Sequence, residues 1–145
     1  MKKTLFVTDL DGTLLTPNQM LSEYTLCTVN ALVDSGMAFT YATARSAETA
    51  AQVTRGLKTS APRVLYNGAF IMDSDDRVML SRVFSQQDKH AIIDELVAAG
   101  LCPVVYAIID GAEKFTYLPD AISTGCKRFL DTRKHCVRYK KKKKK

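Results

Sequence analysis

Apolar positions fall first as a short continuous run and then at helical spacing. Residues 3 to 8, with Leu5-Phe6-Val7, read as a buried strand that ends at Asp9. Ser22 makes a helix N-cap, Leu26, Val29, Leu32 and Val33 follow on one helical face, and Gly36 marks the stop. A second strand, Met37 to Thr43, runs into Arg45-Ser46, and Ala47 to Leu57 has helical composition. This β-α-β-α order predicts an α/β fold, a Rossmann-like parallel sheet with right-handed crossovers. Pro62 precedes a third strand, Arg63 to Tyr66, and Asn67-Gly68 supplies a turn. Ala69 to Met72 and Arg77 to Val83 then flank Asp73-Ser74-Asp75-Asp76 as a hairpin.

The pattern changes near residue 83. Ser85-Gln86-Gln87-Asp88 resembles a capping box before a helix carrying Ile92, Ile93, Leu96 and Val97, which Gly100 ends. Two strands, Pro103 to Ile109 and Lys114 to Leu118, are joined at Asp110-Gly111, and a helix is expected from Ala121 to Leu130. This α-β-β-α run reads as a second, smaller layer. After Arg133 the periodicity ends, and Lys140 to Lys145 reads as a self-repelling, extended tail. The expected divisions are residues 1–83, 84–133 and 134–145.

Charge alters this picture little. The formal net charge is +6, but six of the 21 Lys and Arg residues are Lys140 to Lys145; without them 15 basic residues face 15 acidic ones. A neutral body and a lysine run without aromatic residues argue against specific nucleic-acid recognition. The longest apolar stretches, such as Pro103 to Ile109, are too short to cross a bilayer, so no membrane partner and a cytoplasmic location are expected. Cys27, Cys102, Cys126 and Cys136 form no CxxC pair and read as buried or incidental free thiols.

The chemistry concentrates at Asp9-Leu10-Asp11-Gly12-Thr13. A carboxylate at the carboxyl end of a parallel strand faces the crevice where open α/β sheets bind ligands. Asp9 can attack phosphorus and form an aspartyl-phosphate, which divides one hard displacement into two easier ones. Asp11, two positions on, can protonate the leaving oxygen and then deprotonate the attacking water. Carboxylate oxygens suit Mg²⁺, so Asp9 and Asp11 are its candidate ligands. Gly12 permits a sharp turn, and Thr13 adds a hydroxyl. An EF-hand is excluded, since a loop starting at Asp9 has Leu14 and Met20 where that motif needs Gly and Glu. At the end of the second strand, Thr43 is placed to hydrogen-bond a phosphoryl oxygen.

Asp9 to Thr13, with the strand before them, resemble motif I of the haloacid dehalogenase (HAD) superfamily of phosphatases. Thr43 looks like the Ser/Thr of motif II, and Asn67-Gly68-Ala69 resembles a segment of the Cof-type, sugar-phosphatase-like branch. In that branch the Thr is usually followed by Gly-Arg; Ala44-Arg45 stands here. The resemblance implies a Mg²⁺-dependent phosphomonoester hydrolase acting on a small phosphorylated metabolite such as a sugar phosphate. It makes Asp9, Asp11 and Thr43 catalytic. Leu10, Gly12, Thr43, Ala44, Arg45, Asn67 and Gly68 become substrate-binding, and the segment after residue 83 becomes the start of an α/β cap.

Such enzymes also carry, after the cap, a Lys and a Gly-Asp-x-x-x-Asp-like acidic pair, and neither is identifiable here. Asp73, Asp75 and Asp76 read as a solvated turn, and Lys127 and Arg128 fall in the cap helix. The expectation is therefore a chain cut within its cap, prone to self-association or to pairing with a complementary chain. The alternative function is a noncatalytic remnant serving as a binding module.

Overall fold

A computed structural model describes residues 4–109, 112–118, 122–131 and 139–141. The chain divides into two units, residues 1–83 and 84–145.

In the first unit, strand β1 (Leu5–Thr8) lies parallel to β2 (Ala38–Tyr41), with Leu5 opposite Ala38 and Thr8 opposite Tyr41. Parallel neighbours need a crossover, and helix α1 (Glu23–Asp34) provides it. The Ser22 hydroxyl accepts the Thr25 N–H at 3.0 Å, so the predicted cap is made. Helix α2 (Ala47–Val53) starts the same way, with Ser46 accepting from Thr49 at 3.3 Å, but it stops at Thr54, short of the expected Leu57. Strand β3 (Arg63–Leu65) continues the parallel order through a bridge between Ala42 and Val64. Strands β4 (Phe70–Met72) and β5 (Val78–Ser81) complete an antiparallel hairpin.

The hairpin turn is held by Asp73, whose carboxylate accepts the N–H groups of Asp75 and Arg77, both at 2.9 Å. Asp75 and Asp76 are exposed, as a solvated turn requires. Leu10, Leu15, Tyr41, Ala50 and Leu65 form the core of this unit.

The burial expected for β1 is not found. Leu5, Phe6 and Val7 are 49%, 53% and 53% exposed. A strand of a parallel sheet is buried only when it has neighbours and covered faces. Among the described residues β1 pairs with β2 alone, so one edge stays open.

In the second unit, helix α3 (Gln86–Ala98) starts at the predicted Ser85 cap, with Asp88 reaching back to the Ser85 hydroxyl and not to its backbone N–H. Ser85 Oγ accepts the Asp88 N–H at 3.0 Å and donates to the Asp88 carboxylate at 2.7 Å. Strands β6 (Val105–Ile109) and β7 (Ala112–Tyr117) are antiparallel. The Asp110-Gly111 connection lies outside the described residues. Helix α4 (Thr124–Asp131) begins after Ser123, whose hydroxyl accepts the Cys126 N–H at 3.1 Å; Ala121 lies outside the described residues. Phe115, Tyr117 and Leu130 are buried together.

Strand β8 (Tyr139–Lys141) pairs in parallel with β7, Tyr139 opposite Phe115. The sequence reading did not anticipate this pairing for the start of the lysine run. Edge pairing uses backbone groups, which every lysine carries, and needs no apolar side chain.

Cys27, Cys102 and Cys126 are free thiols. Cys27 is exposed, the incidental alternative of the two. Burial pushes the Cys126 thiol up, and neighbouring Cys102 adds to the shift. No helix among the described residues is long and apolar enough to cross a membrane.

Candidate active site

The acidic loop owes its shape to one leucine. Asp9 leaves β1 in extended conformation, and the next residue, Leu10, turns fully inward with 0% of its surface exposed. Alternation along extended backbone therefore points Asp9 outward. Asp11 (φ −74°, ψ 123°) and Gly12 (φ 75°, ψ 2°) then occupy the two central positions of a type II turn. The Leu15 N–H closes the loop on the Leu10 carbonyl at 2.9 Å. The Leu10 side chain is thus a core anchor, a packing role that motif membership hid.

Gly12 is required by conformation and not by space, since nothing lies within 4 Å of where a Cβ would sit. Gly12→Ala should cost about 1 kcal/mol, the penalty of a left-handed non-glycine residue. Urea unfolding would show this as a lower midpoint with an unchanged slope.

The carboxylate of Asp9 has no hydrogen-bond or ion-pair partner among the described residues, and the residue is exposed. Asp11 differs. Arg45 grips it with both arms of a fork, Nε to Oδ2 at 2.7 Å and Nη2 to Oδ1 at 2.6 Å. A bidentate, charge-assisted pair of this length is among the stronger side-chain contacts. The Arg45 hydrogen bonds hold the Asp11 carboxyl below the usual carboxylate range, against a smaller opposing effect of burial.

This shift has a pH signature. The folded pKa lies below the unfolded one, so the pair's contribution is full above the unfolded value and is lost as pH falls through the folded value. The Asp11 side chain is 48% exposed, and solvent screening limits the contribution to about 1 kcal/mol. The stability difference between the parent chain and Arg45→Met should therefore shrink below about pH 5 in urea unfolding across pH.

The ends of β2 and β3 complete the site. Ala42 donates its N–H to the Thr8 carbonyl at 2.8 Å, so residues 42–45 emerge beside Asp9. Thr43 is 5% exposed, and its Oγ1 accepts the Arg45 N–H at 3.2 Å, leaving the hydroxyl proton available to donate. Ala44 is exposed at the same rim. The loop after β3 is stitched to this segment: Tyr66 N–H to Arg45 carbonyl at 3.0 Å, Asn67 N–H to Thr43 carbonyl at 3.1 Å. Tyr66 (φ 51°) and Asn67 (φ 55°) are both left-handed, and Gly68 follows in the same region. For a tyrosine that conformation is costly, on the order of 1 kcal/mol or more, and the two hydrogen bonds hold it in place.

The structure therefore brings Asp9, Asp11, Gly12, Thr43, Ala44, Arg45, Asn67 and Gly68 to one end of the sheet. Two contributors escaped the sequence reading. Gln19 accepts from Arg45 Nη2 at 2.9 Å, and Tyr66 supports the Asn67 turn. Gln19 sits in an aperiodic polar loop, where no pattern marks a contact 26 residues distant.

The donor set tests the expected cation. Asp9 offers an exposed, unpartnered oxygen ligand of the kind Mg²⁺ takes. Both Asp11 oxygens accept from Arg45, whereas Asp9 has no side-chain partner among the described residues, so Asp9 is the freer of the two candidate ligands. Among the described residues no group of three or more His, Cys, Asp or Glu converges. The ion characteristically keeps several waters and binds with substrate phosphate.

Residues 6–145 match the model of the haloacid dehalogenase-like hydrolases, and the chain belongs to that family. It is 35% identical over 77 residues to a putative phosphatase from Buchnera aphidicola, covering 53% of this chain and 29% of that protein. It is likewise 35% identical over 75 residues, 52% of this chain and 28% of the relative, to the 5-amino-6-(5-phospho-D-ribitylamino)uracil phosphatase of Bacillus subtilis. Among solved structures, a phosphatase of the HAD superfamily from Bacteroides thetaiotaomicron superimposes with a TM-score of 0.71 at 18% identity, over 93% of this chain and 48% of that one. The chain thus spans about half the length of that structure and under a third of these two relatives.

Proposed function

We propose that this chain carries the nucleophile side of a Mg²⁺-dependent phosphomonoester hydrolase that works through an aspartyl-phosphate. The observation that carries the reading is the free Asp9 carboxylate at the end of β1, beside the Thr43 hydroxyl and the Asp11–Arg45 pair. In the first step an Asp9 oxygen attacks phosphorus, the ester P–O bond breaks, and the leaving alkoxide takes a proton from Asp11. In the second, Asp11 removes a proton from water as the water attacks the acyl phosphate, releasing inorganic phosphate and restoring Asp9. Arg45 stabilises the ionised Asp11 that the second step uses, and Thr43 donates to a phosphoryl oxygen. Mg²⁺, held by Asp9, would offset the repulsion between that carboxylate and the phosphate.

The substrate we propose is a small phosphorylated metabolite such as a sugar or sugar-alcohol phosphate. The B. subtilis relative, named for a phospho-ribityl substrate, supports this class. The test is Mg²⁺-dependent phosphate release from p-nitrophenyl phosphate and from sugar phosphates.

A further inference from the structure

Gln19 occupies a conformation that needs an explanation. Its φ is 58°, left-handed for a residue with a full side chain. The loop that holds it there is tight: Thr16 N–H and hydroxyl both donate to the Met20 carbonyl at 2.9 Å, and Gln19 N–H donates to the Thr16 carbonyl at 2.8 Å. A strained residue persists where its surroundings over-determine it, and such residues cluster at functional sites. The strain here delivers one side-chain contact, Gln19 Oε1 accepting from Arg45 Nη2 at 2.9 Å.

The donor count of Arg45 shows what that contact accomplishes. A guanidinium has five N–H donors in a rigid plane. Asp11 takes the Nε donor and one from Nη2, and Gln19 takes the second from Nη2. The two donors of Nη1 have no acceptor among the described residues. The Arg45 side chain is only 16% exposed, so the plane has little room to swing.

We propose that Gln19 is a positioning residue: with Asp11 it locks the Arg45 guanidinium from two sides, leaving Nη1 as a pre-aimed pair of donors for an oxyanion. Arg45 then binds without leaving Asp11, and the entropy of ordering a long side chain is met in the free protein. That the oxyanion is the phosphoryl group of a substrate rests on the function proposed above; the lock itself does not.

The test separates the two. The Arg45 Nε–H resonance, assigned by its loss in Arg45→Met, reports the lock in the ligand-free chain. Gln19→Leu should speed its exchange with water about tenfold, the effect of losing one hydrogen bond to a charged group, with the thermal midpoint little changed. Gln19→Glu keeps an acceptor and should restore slow exchange. Unchanged exchange in Gln19→Leu, or no recovery in Gln19→Glu, overturns the proposal. Inorganic phosphate is then titrated in. A phosphate-dependent shift of the Arg45 signal, with affinity weakened several-fold in Gln19→Leu, supports both readings. If exchange responds to Gln19 but the parent chain shows no phosphate shift, the lock stands and the phosphoryl assignment fails.

Discussion

Asp9→Asn is expected to abolish Mg²⁺-dependent release of phosphate from p-nitrophenyl phosphate, by a factor on the order of 10⁶, as loss of a nucleophile does in other enzymes of covalent mechanism. The amide cannot supply the attacking oxygen and is a weaker ligand for the cation. The same substitution should leave the fold almost untouched. Asp9 is exposed and without a side-chain partner among the described residues, so its replacement falls among surface changes worth about 0.5 kcal/mol or less. Activity and stability are therefore separable at this position. Matched thermal melts beside a large difference in rate would support the nucleophile assignment. Equal inertness of both chains would overturn catalysis by this chain, and equal activity would overturn the role of Asp9.

The contrast with Asp11 sharpens that reading. Both carboxylates sit on one short loop, yet Asp9 is unpartnered while Asp11 is held ionised by two hydrogen bonds from Arg45. Two like groups placed in different surroundings can take different roles, one as nucleophile and one in proton transfer. An ionised Asp11 suits the water-activating step, and the protonation that the first step needs runs against the pull of Arg45. In the proposed mechanism the arginine would thus bias the site toward its hydrolytic half.

Much of this is legible in the sequence. The strand-then-carboxylate pattern, the caps at Ser22 and Ser85 and the aspartate turn at Asp73 are local, and local rules found them; the same rule, not applied to Ser46, covers its cap as well. What the sequence hid was non-local. The Arg45–Asp11 pair joins residues 34 apart, and Gln19 joins it from a loop without periodicity. Leu5 to Val7 read as buried because apolar runs usually are, but burial belongs to neighbours, and β1 has one paired side among the described residues. Lys140 and Lys141 were assigned by charge, whereas the edge of β7 recruits backbone.

The largest stability effect is expected at Leu10, the residue that a motif-based reading assigns to the ligand. Leu10 is fully buried with Leu15, Tyr41, Ala50 and Leu65, and it stands between Asp9 and Asp11. Leu10→Ala removes transfer energy and leaves a cavity, together about 3 kcal/mol in a well-packed core. A domain of this size has only about 5–15 kcal/mol of net stability, so the melt should move by many degrees. The loop would also lose its inward tether. Asp9 and Asp11 flank the deleted side chain, and the type II turn at Asp11-Gly12 starts directly from it. Leu10→Ala should therefore lower both the midpoint of urea unfolding and, at temperatures where the chain stays folded, the rate of phosphate release. Leu10→Met, close in volume, should cost less than about 1.5 kcal/mol and keep most of the rate. A Leu10→Ala chain that melts with the parent would refute the anchor role; one that loses stability but keeps full activity would show that Leu10 holds the core without aiming the carboxylates.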